Sequence, residues 1–156
     1  MVLVEGESDR VALETLARRL RRDLVADGVS ITPVGGAHAF GRALHRNGPT
    51  SGHRDVAGLC DAGEEGYVRR AIAAAGIGTP ANRGEMEELG FFVCDRDLED
   101  ELIRAAGPET IEATLAEHGD LRSFRTMQRQ PDWRDADFDA QARRFLGAGA
   151  RRKERY

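Results

Sequence analysis

The chain has 156 residues, a formal net charge of −4, and 40% apolar against 32% charged residues. That length suits one domain with a modest core, and aromatics at 6% leave most of its filling to aliphatic side chains and alanine. Nothing approaches the roughly eighteen consecutive apolar residues of a membrane span. The N-terminal MVLVEGES has neither the basic nor the apolar region of an export signal, and two cysteines are too few for a disulfide framework or a thiolate metal site. The expectation is a cytoplasmic protein in which Cys60 and Cys94 are buried thiols, with no membrane partner.

Val2–Val4 opens the chain as a short β-prone run that leaves through Gly6. SDRVALETLARRLRRDL then predicts a helix over 8–24, capped by Ser8 or Asp9, with Val11, Leu13, Leu16, Leu20 and Leu24 along one stripe. A second strand is expected over Val29–Val34; Pro33 makes it short or places it near an edge. Gly35–Gly36 turns the chain into a short helix, AFGRALHR, and NGPTSGHR reads as a loop. VAGLC, residues 56–60, is a third strand, followed by DAGEE and the helical YVRRAIAAAG. Residues 76–84 loop past Pro80, LGFFVC (89–94) is a fourth strand, and DLEDELIRAAG becomes a helix. TIEATLAEHG and DFDAQARRFLG are further helices, with the less regular SFRTMQRQPDWR between them. Four βα repeats predict an α/β fold with a mostly parallel four-stranded sheet and helices on its faces. The expected organisation is an α/β core over 1–119 and a basic helical extension over 120–156 packed on, or completing, the same domain.

In this order every strand delivers its C-terminal end to one edge, where open α/β sheets bind ligands. The acids gather at those ends. Glu5 closes the first strand and Asp9 stands four residues on; both can turn towards one ion, or Asp9 can cap the helix while Glu5 faces solvent. Asp61 closes the third strand, with Glu64 or Glu65 able to assist or to cap. After the fourth strand, Asp97 and Glu99 are two apart, a spacing that directs both side chains the same way in an extended exit, and Asp95 shares that parity. Asp100 and Glu101 are better explained as first-turn acids complementing a helix dipole. Crowded carboxylates repel one another, and hard divalent cations are a physical reason to assemble them.

The charge is unevenly divided: 13 arginines against 21 acids over 1–119 give −8, and ten basic against six acidic residues over 120–156 give +4. An acidic body suits cations, and a basic end suits phosphate. Arg125, Arg129, Arg143, Arg144, Arg151, Arg152 and Arg155 can track a phosphate backbone, with Arg144, Arg151 and Arg152 foremost, or simply solvate the surface. Lys153 is the only lysine, a compact charge able to meet a scissile phosphate, or a solvated tail residue. Trp133, the only tryptophan, can anchor the extension or stack on a base. The four histidines show no compact metal-ligand spacing.

VLVEGESD, GLCDAGEE and CDRDLEDEL together resemble a TOPRIM domain, and DLEDELIRA with the terminal RRKERY is most similar to the nuclease region of the overcoming-lysogenization-defect family. The resemblance covers nearly the whole chain. It implies a three-layer, Rossmann-like TOPRIM fold with a C-terminal helical extension, and cleavage of DNA with two divalent metals. Its ligand pattern falls on Glu5, Asp9, Asp61, Asp97 and Glu99, with Glu64 and Asp95 in reserve. Glu5 doubles as proton acceptor, and the family's basic residue falls on Lys153. The usual DxD-like motif departs here to Asp61–Ala62–Gly63, which weakens the second metal position. Family members usually carry an ABC-type ATPase; none is attached here and no P-loop motif is present. The implied function is a Mg²⁺- or Mn²⁺-dependent endonuclease that hydrolyses DNA phosphodiesters with two ions, Ca²⁺ being a non-productive occupant. A separate ATPase or helicase partner and a homodimer are compatible with it. The alternatives are a non-catalytic TOPRIM-like module that binds nucleic acid or serves an ATPase, and a small-molecule phosphoesterase. Tyr67 and Tyr156, the only tyrosines, sit in no separate cleavage module of the topoisomerase kind.

Overall fold

A computed structural model describes residues 1–47 and 55–148. The loop expected at 47–54 falls almost entirely outside them, as do Arg151, Arg152, Lys153, Arg155 and Tyr156. The chain forms two compact units, Met1–Asp97 and Leu98–Tyr156. The second unit takes in the helix after the fourth strand, which the sequence reading grouped with the α/β part.

The first unit runs β1 (Val2–Val4), α1 (Glu7–Arg19), β2 (Ile31–Pro33), α2 (Ala37–Asn47) and β3 (Ala57–Cys60), then a 3-10 turn (Ala62–Glu64) leading into α3 (Glu65–Ala74), α4 (Arg83–Glu88) and β4 (Phe91–Val93). All pairings are parallel, in the order β2-β1-β3-β4. The expected α/β class therefore holds, as a three-layer arrangement. Leu3 faces α2 and α3, in a core with Phe40, Leu44, Val68, Ile72, Met86 and Phe91. The alternate residue, Val4, is equally buried, and α1 packs against β1 and β2. Gly58 on β3 sits in a tightly packed part of the core: a Cβ there would lie 2.8 Å from the rings of both Phe40 and Phe91. Pro33 lies on the edge strand β2, opposite Val4, where its missing N–H costs least.

Two local expectations are corrected. The first helix ends at Arg19 rather than running to 24. Arg21 takes φ 55°, its N–H meets Arg18 O at 3.0 Å and the Arg22 N–H meets Ala17 O at 2.9 Å. This is a Schellman closure with arginine where glycine is usual, so Leu20 is left 64% exposed instead of extending a buried stripe. Second, α4 begins at the end of the expected loop 76–84 and fills residues 85–88, for which no element was expected. Asn82 caps it by accepting the Glu85 N–H at 3.0 Å, while Glu85 reaches back to the Ala81 N–H at 2.8 Å.

The second unit holds α5 (Leu98–Glu117), α6 (Leu121–Gln128) and α7 (Phe138–Leu146). The α5 span breaks at Gly107 (φ 72°, ψ 166°), with Pro108 opening its second part. The α6 segment, expected to be irregular, is helical and buries Phe124. That ring meets Phe138 and Phe145 edge-on at 5.7 and 5.3 Å, among Ile103, Ile111, Leu115 and Ala142. Buried Gln141 is fully engaged: its amide donates to Trp133 O (2.7 Å) and Ala136 O (3.1 Å) and accepts from Gln128 (2.7 Å). Among the described residues no helix is long and apolar enough to cross a membrane.

Candidate functional site

The strand order 2-1-3-4 means that the chain winds one way from β1 to β2 and the other way to β3 and β4. The reversal lies between β1 and β3, the topological switch point at which such sheets open a crevice. Glu5 follows β1 there, and Asp61 follows β3. Glu5 Oε1 accepts the backbone N–H of Asp61 at 3.0 Å, so the two strand ends are joined through the glutamate itself.

Glu5 is held from its other side as well. Its carbonyl accepts the N–H groups of Gly35 (3.1 Å) and Gly36 (3.0 Å) from the exit of β2. Both glycines have left-handed φ, 80° and 98°, which a side chain would strain. The sequence reading treated this pair as a turn; here it also fixes the backbone of the central acid. On the far side of β3, the Cys94 N–H donates to Cys60 O (2.9 Å) and the Ala62 N–H to Arg96 O (3.0 Å), which ties the β4 exit to the Asp61 loop.

The electrostatics centre on Glu5. Burial pushes its carboxyl pKa up, and the charges of Glu64 and Asp9 add to the rise, against the stabilising Asp61 N–H. Glu5, Asp9, Asp61 and Glu64 thus share one neighbourhood. Asp9 takes the capping role weighed for it. It stands at the third position of α1 and accepts the N–H of Gly6, the capping residue, at 2.8 Å, while its charge is felt at Glu5. Glu64 and Glu65 diverge: Glu65 is bound by Arg83 at 2.8 Å, and Glu64 remains on the Glu5 side. Gly63 is exposed with open space around its Cβ position, so packing does not demand a glycine there.

The β4 exit sorts its acids. Asp95 is 68% exposed and 3.5 Å from Arg83. Asp97 is only 8% exposed, a buried carboxylate at the end of the first unit. Leu98 already begins α5, so Glu99 lies in a helical first turn and not in the extended segment that the two-residue spacing assumed. Asp100 and Glu101 share that turn, as expected. Asp100 comes within 4.0 Å of Arg143, and Glu101 pairs with Arg104. Among the described residues, no three His, Cys, Asp or Glu side chains stand in metal-holding geometry.

Both cysteines are buried, and burial first, then the Glu5 charge, pushes the Cys60 thiol up to about 12, which leaves it unreactive. In the second unit, Arg144 lies over the half-buried ring of Trp133 at 5.8 Å. Arg125 pairs with Glu112 at 2.6 Å.

Residues 1–45 match the family described as overcoming lysogenization defect protein-like, TOPRIM domain. No curated protein matches the sequence. Among solved structures, the C-terminal region of the Xanthomonas campestris pv. campestris OLD protein superposes with a TM-score of 0.66 at 22% identity, over 99% of this chain and 82% of that one. The C-terminal region of the Burkholderia pseudomallei OLD protein gives 0.65 at 20% identity, over 99% and 84%. The N-terminal segment thus matches the OLD-like TOPRIM family, and the fold of the chain is that of the C-terminal region of OLD proteins.

Proposed function

We propose that the protein is a divalent-metal-dependent nuclease that hydrolyses DNA phosphodiester bonds. One observation carries the reading: a partly buried glutamate at the β1–β3 switch point, hydrogen-bonded to the Asp61 backbone and held protonation-prone by burial, Glu64 and Asp9. Sheets of this topology place ligands at that point. An all-oxygen, all-carboxylate donor set fits Mg²⁺ or Mn²⁺, and a cation would relieve the repulsion that Glu5 experiences. The residues that would hold two such ions are Glu5, Asp9, Asp61, Asp97 and Glu99, with Glu64 supporting. Asp95 is the weakest of the reserve ligands, because Arg83 competes for it.

When bound, the ions would supply an acidified water and charge stabilisation for the departing 3′-oxygen. Glu5, at the end of β1, would accept a proton from the attacking water. The Asp61 N–H orients the Glu5 carboxylate, and Asp9 fixes the start of α1 beside it. Lys153, with Arg151 and Arg152, would meet the phosphate backbone from the basic end, and Arg144 would follow the strand beside Trp133.

The test is plasmid cleavage in Mg²⁺, Mn²⁺ and Ca²⁺ by the wild type and by Glu5→Ala and Asp97→Ala. Cleavage in Mg²⁺ or Mn²⁺ that both substitutions abolish, without unfolding, is the expected result. A folded wild type that cleaves nothing would leave the second reading, a non-catalytic TOPRIM module, which the glycine at position 63 favours. Hydrolysis of a generic phosphomonoester without DNA cleavage would instead indicate a small-molecule phosphoesterase.

A further inference from the structure

We propose that Arg96 is a substrate-binding residue of this site, presenting its guanidinium to a phosphate of the nucleic-acid backbone; the inference rests on the nuclease reading above. Arg96 lies at the β4 exit between Asp95 and Asp97 and is exposed. Its carbonyl receives the Ala62 N–H at 3.0 Å, so its backbone is bonded directly to the residue after Asp61. It therefore stands at the same sheet edge as Glu5, Asp9, Asp61 and Glu64. In so acidic a neighbourhood an arginine is expected to be claimed by a carboxylate. Arg83 binds Glu65 and Asp95, Arg10 binds Glu7 and Glu14, Arg104 binds Glu101, and Arg125 binds Glu112. Arg96 makes no ion pair and no side-chain hydrogen bond with any described residue.

The two flanking acids explain why. Asp95 is engaged by Arg83 instead, and Asp97 is buried. The guanidinium keeps all five donors on a backbone that cannot move without moving the Asp61 loop. A planar fork on a fixed backbone is the form in which proteins bind phosphate bidentately. Carboxylates alone at this edge would repel a nucleic acid, and a cation among them offsets that repulsion at the point of approach.

The experiment is fluorescence anisotropy of a dye-labelled DNA duplex with the full chain in Ca²⁺, titrated over a range of NaCl concentrations, for wild type, Arg96→Ala and Arg96→Lys. Loss of one phosphate contact predicts about tenfold weaker binding for Arg96→Ala at low salt, with the slope of log K against log[salt] reduced by about 0.9. Arg96→Lys should keep the wild-type slope while losing part of the affinity, since it keeps the charge and loses the fork. Wild-type affinity and slope in Arg96→Ala would overturn the role of Arg96 and leave the nuclease reading standing. A wild type that neither binds nor cleaves DNA would overturn both.

Discussion

Replacing Glu5 by glutamine separates the two things its carboxylate does. Glutamine keeps an oxygen able to accept the Asp61 N–H, now 3.0 Å from Oε1, and removes the charge that burial, Glu64 and Asp9 disfavour. Alanine removes both. A partly buried N–H left without its acceptor costs about 1–3 kcal/mol, whereas a neutral hydrogen bond retains a net contribution of about 1 kcal/mol. The expected order of stability at neutral pH is therefore Gln at or above Glu, and Ala below both by about 1–2 kcal/mol. The sign of the pH dependence follows from the raised folded-state pKa. Well below the ordinary value of 4.5 the glutamate is protonated in both states, and wild type and Glu5→Gln should unfold alike. As pH rises, the unfolded chain releases its proton first, so the wild type loses stability relative to glutamine until the folded pKa is passed.

Urea unfolding followed by circular dichroism, at about pH 3 and at neutral pH, measures this directly. The reasoning fails if Glu5→Gln is as destabilised as Glu5→Ala at neutral pH, or if its difference from wild type is the same at both pH values. A second arm addresses the proposed cation. Mg²⁺ should raise the wild-type unfolding midpoint by binding the native state, and raise that of Glu5→Gln much less.

Other consequences are accessible with the same protein. Asp97→Ala should lower DNA cleavage by about 100-fold or more, the scale for losing a group that supports transition-state charge; Asp95→Asn, which weakens the exposed contact to Arg83, should stay near wild type in the plasmid assay. Gly58→Ala should destabilise the fold by about 1–3 kcal/mol in urea, because its methyl group meets two buried phenylalanine rings at 2.8 Å.

What the sequence disclosed depends on how local each signal was. The parallel sheet was legible because each apolar run ends in Gly, Asp or Glu and is followed by a helical stripe. Glu5 and Asp61 could be named as partners because strand ends converge on one edge whatever the loop details. The Gly35–Gly36 clamp was harder to read, since two glycines announce a turn but not which carbonyl their N–H groups meet. The end of α1 was hidden because Arg21 takes the left-handed position that glycine normally advertises. Asp97 and Glu99 were linked by an extended-chain parity that does not apply, because the helix begins between them at Leu98. Arg96 was passed over because its meaning lies in what its neighbours bind, and a sequence does not show that Asp95 is occupied by Arg83.

The departure at Asp61–Ala62–Gly63 has a structural counterpart that leads to a final test. The residues after Asp61 form a 3-10 turn, and the next carboxylate, Glu64, raises the pKa of Glu5. Glu64 thus stands one position after the acid that the usual motif would place at 63, with its charge felt at Glu5. If Glu64 does the work of the absent residue, Glu64→Gln should reduce cleavage in the wild-type background. Gly63→Asp should be structurally tolerated, because nothing lies within 4 Å of its Cβ position and an acid suits the first turn of a helical segment. In a double-mutant cycle, Glu64→Gln should then cost about tenfold less in the Gly63→Asp background than in wild type, the non-additivity expected of two groups serving one position. Equal losses in both backgrounds would show that the two positions act independently, and Glu64 would then be a repulsive neighbour of Glu5 and not a substitute ligand.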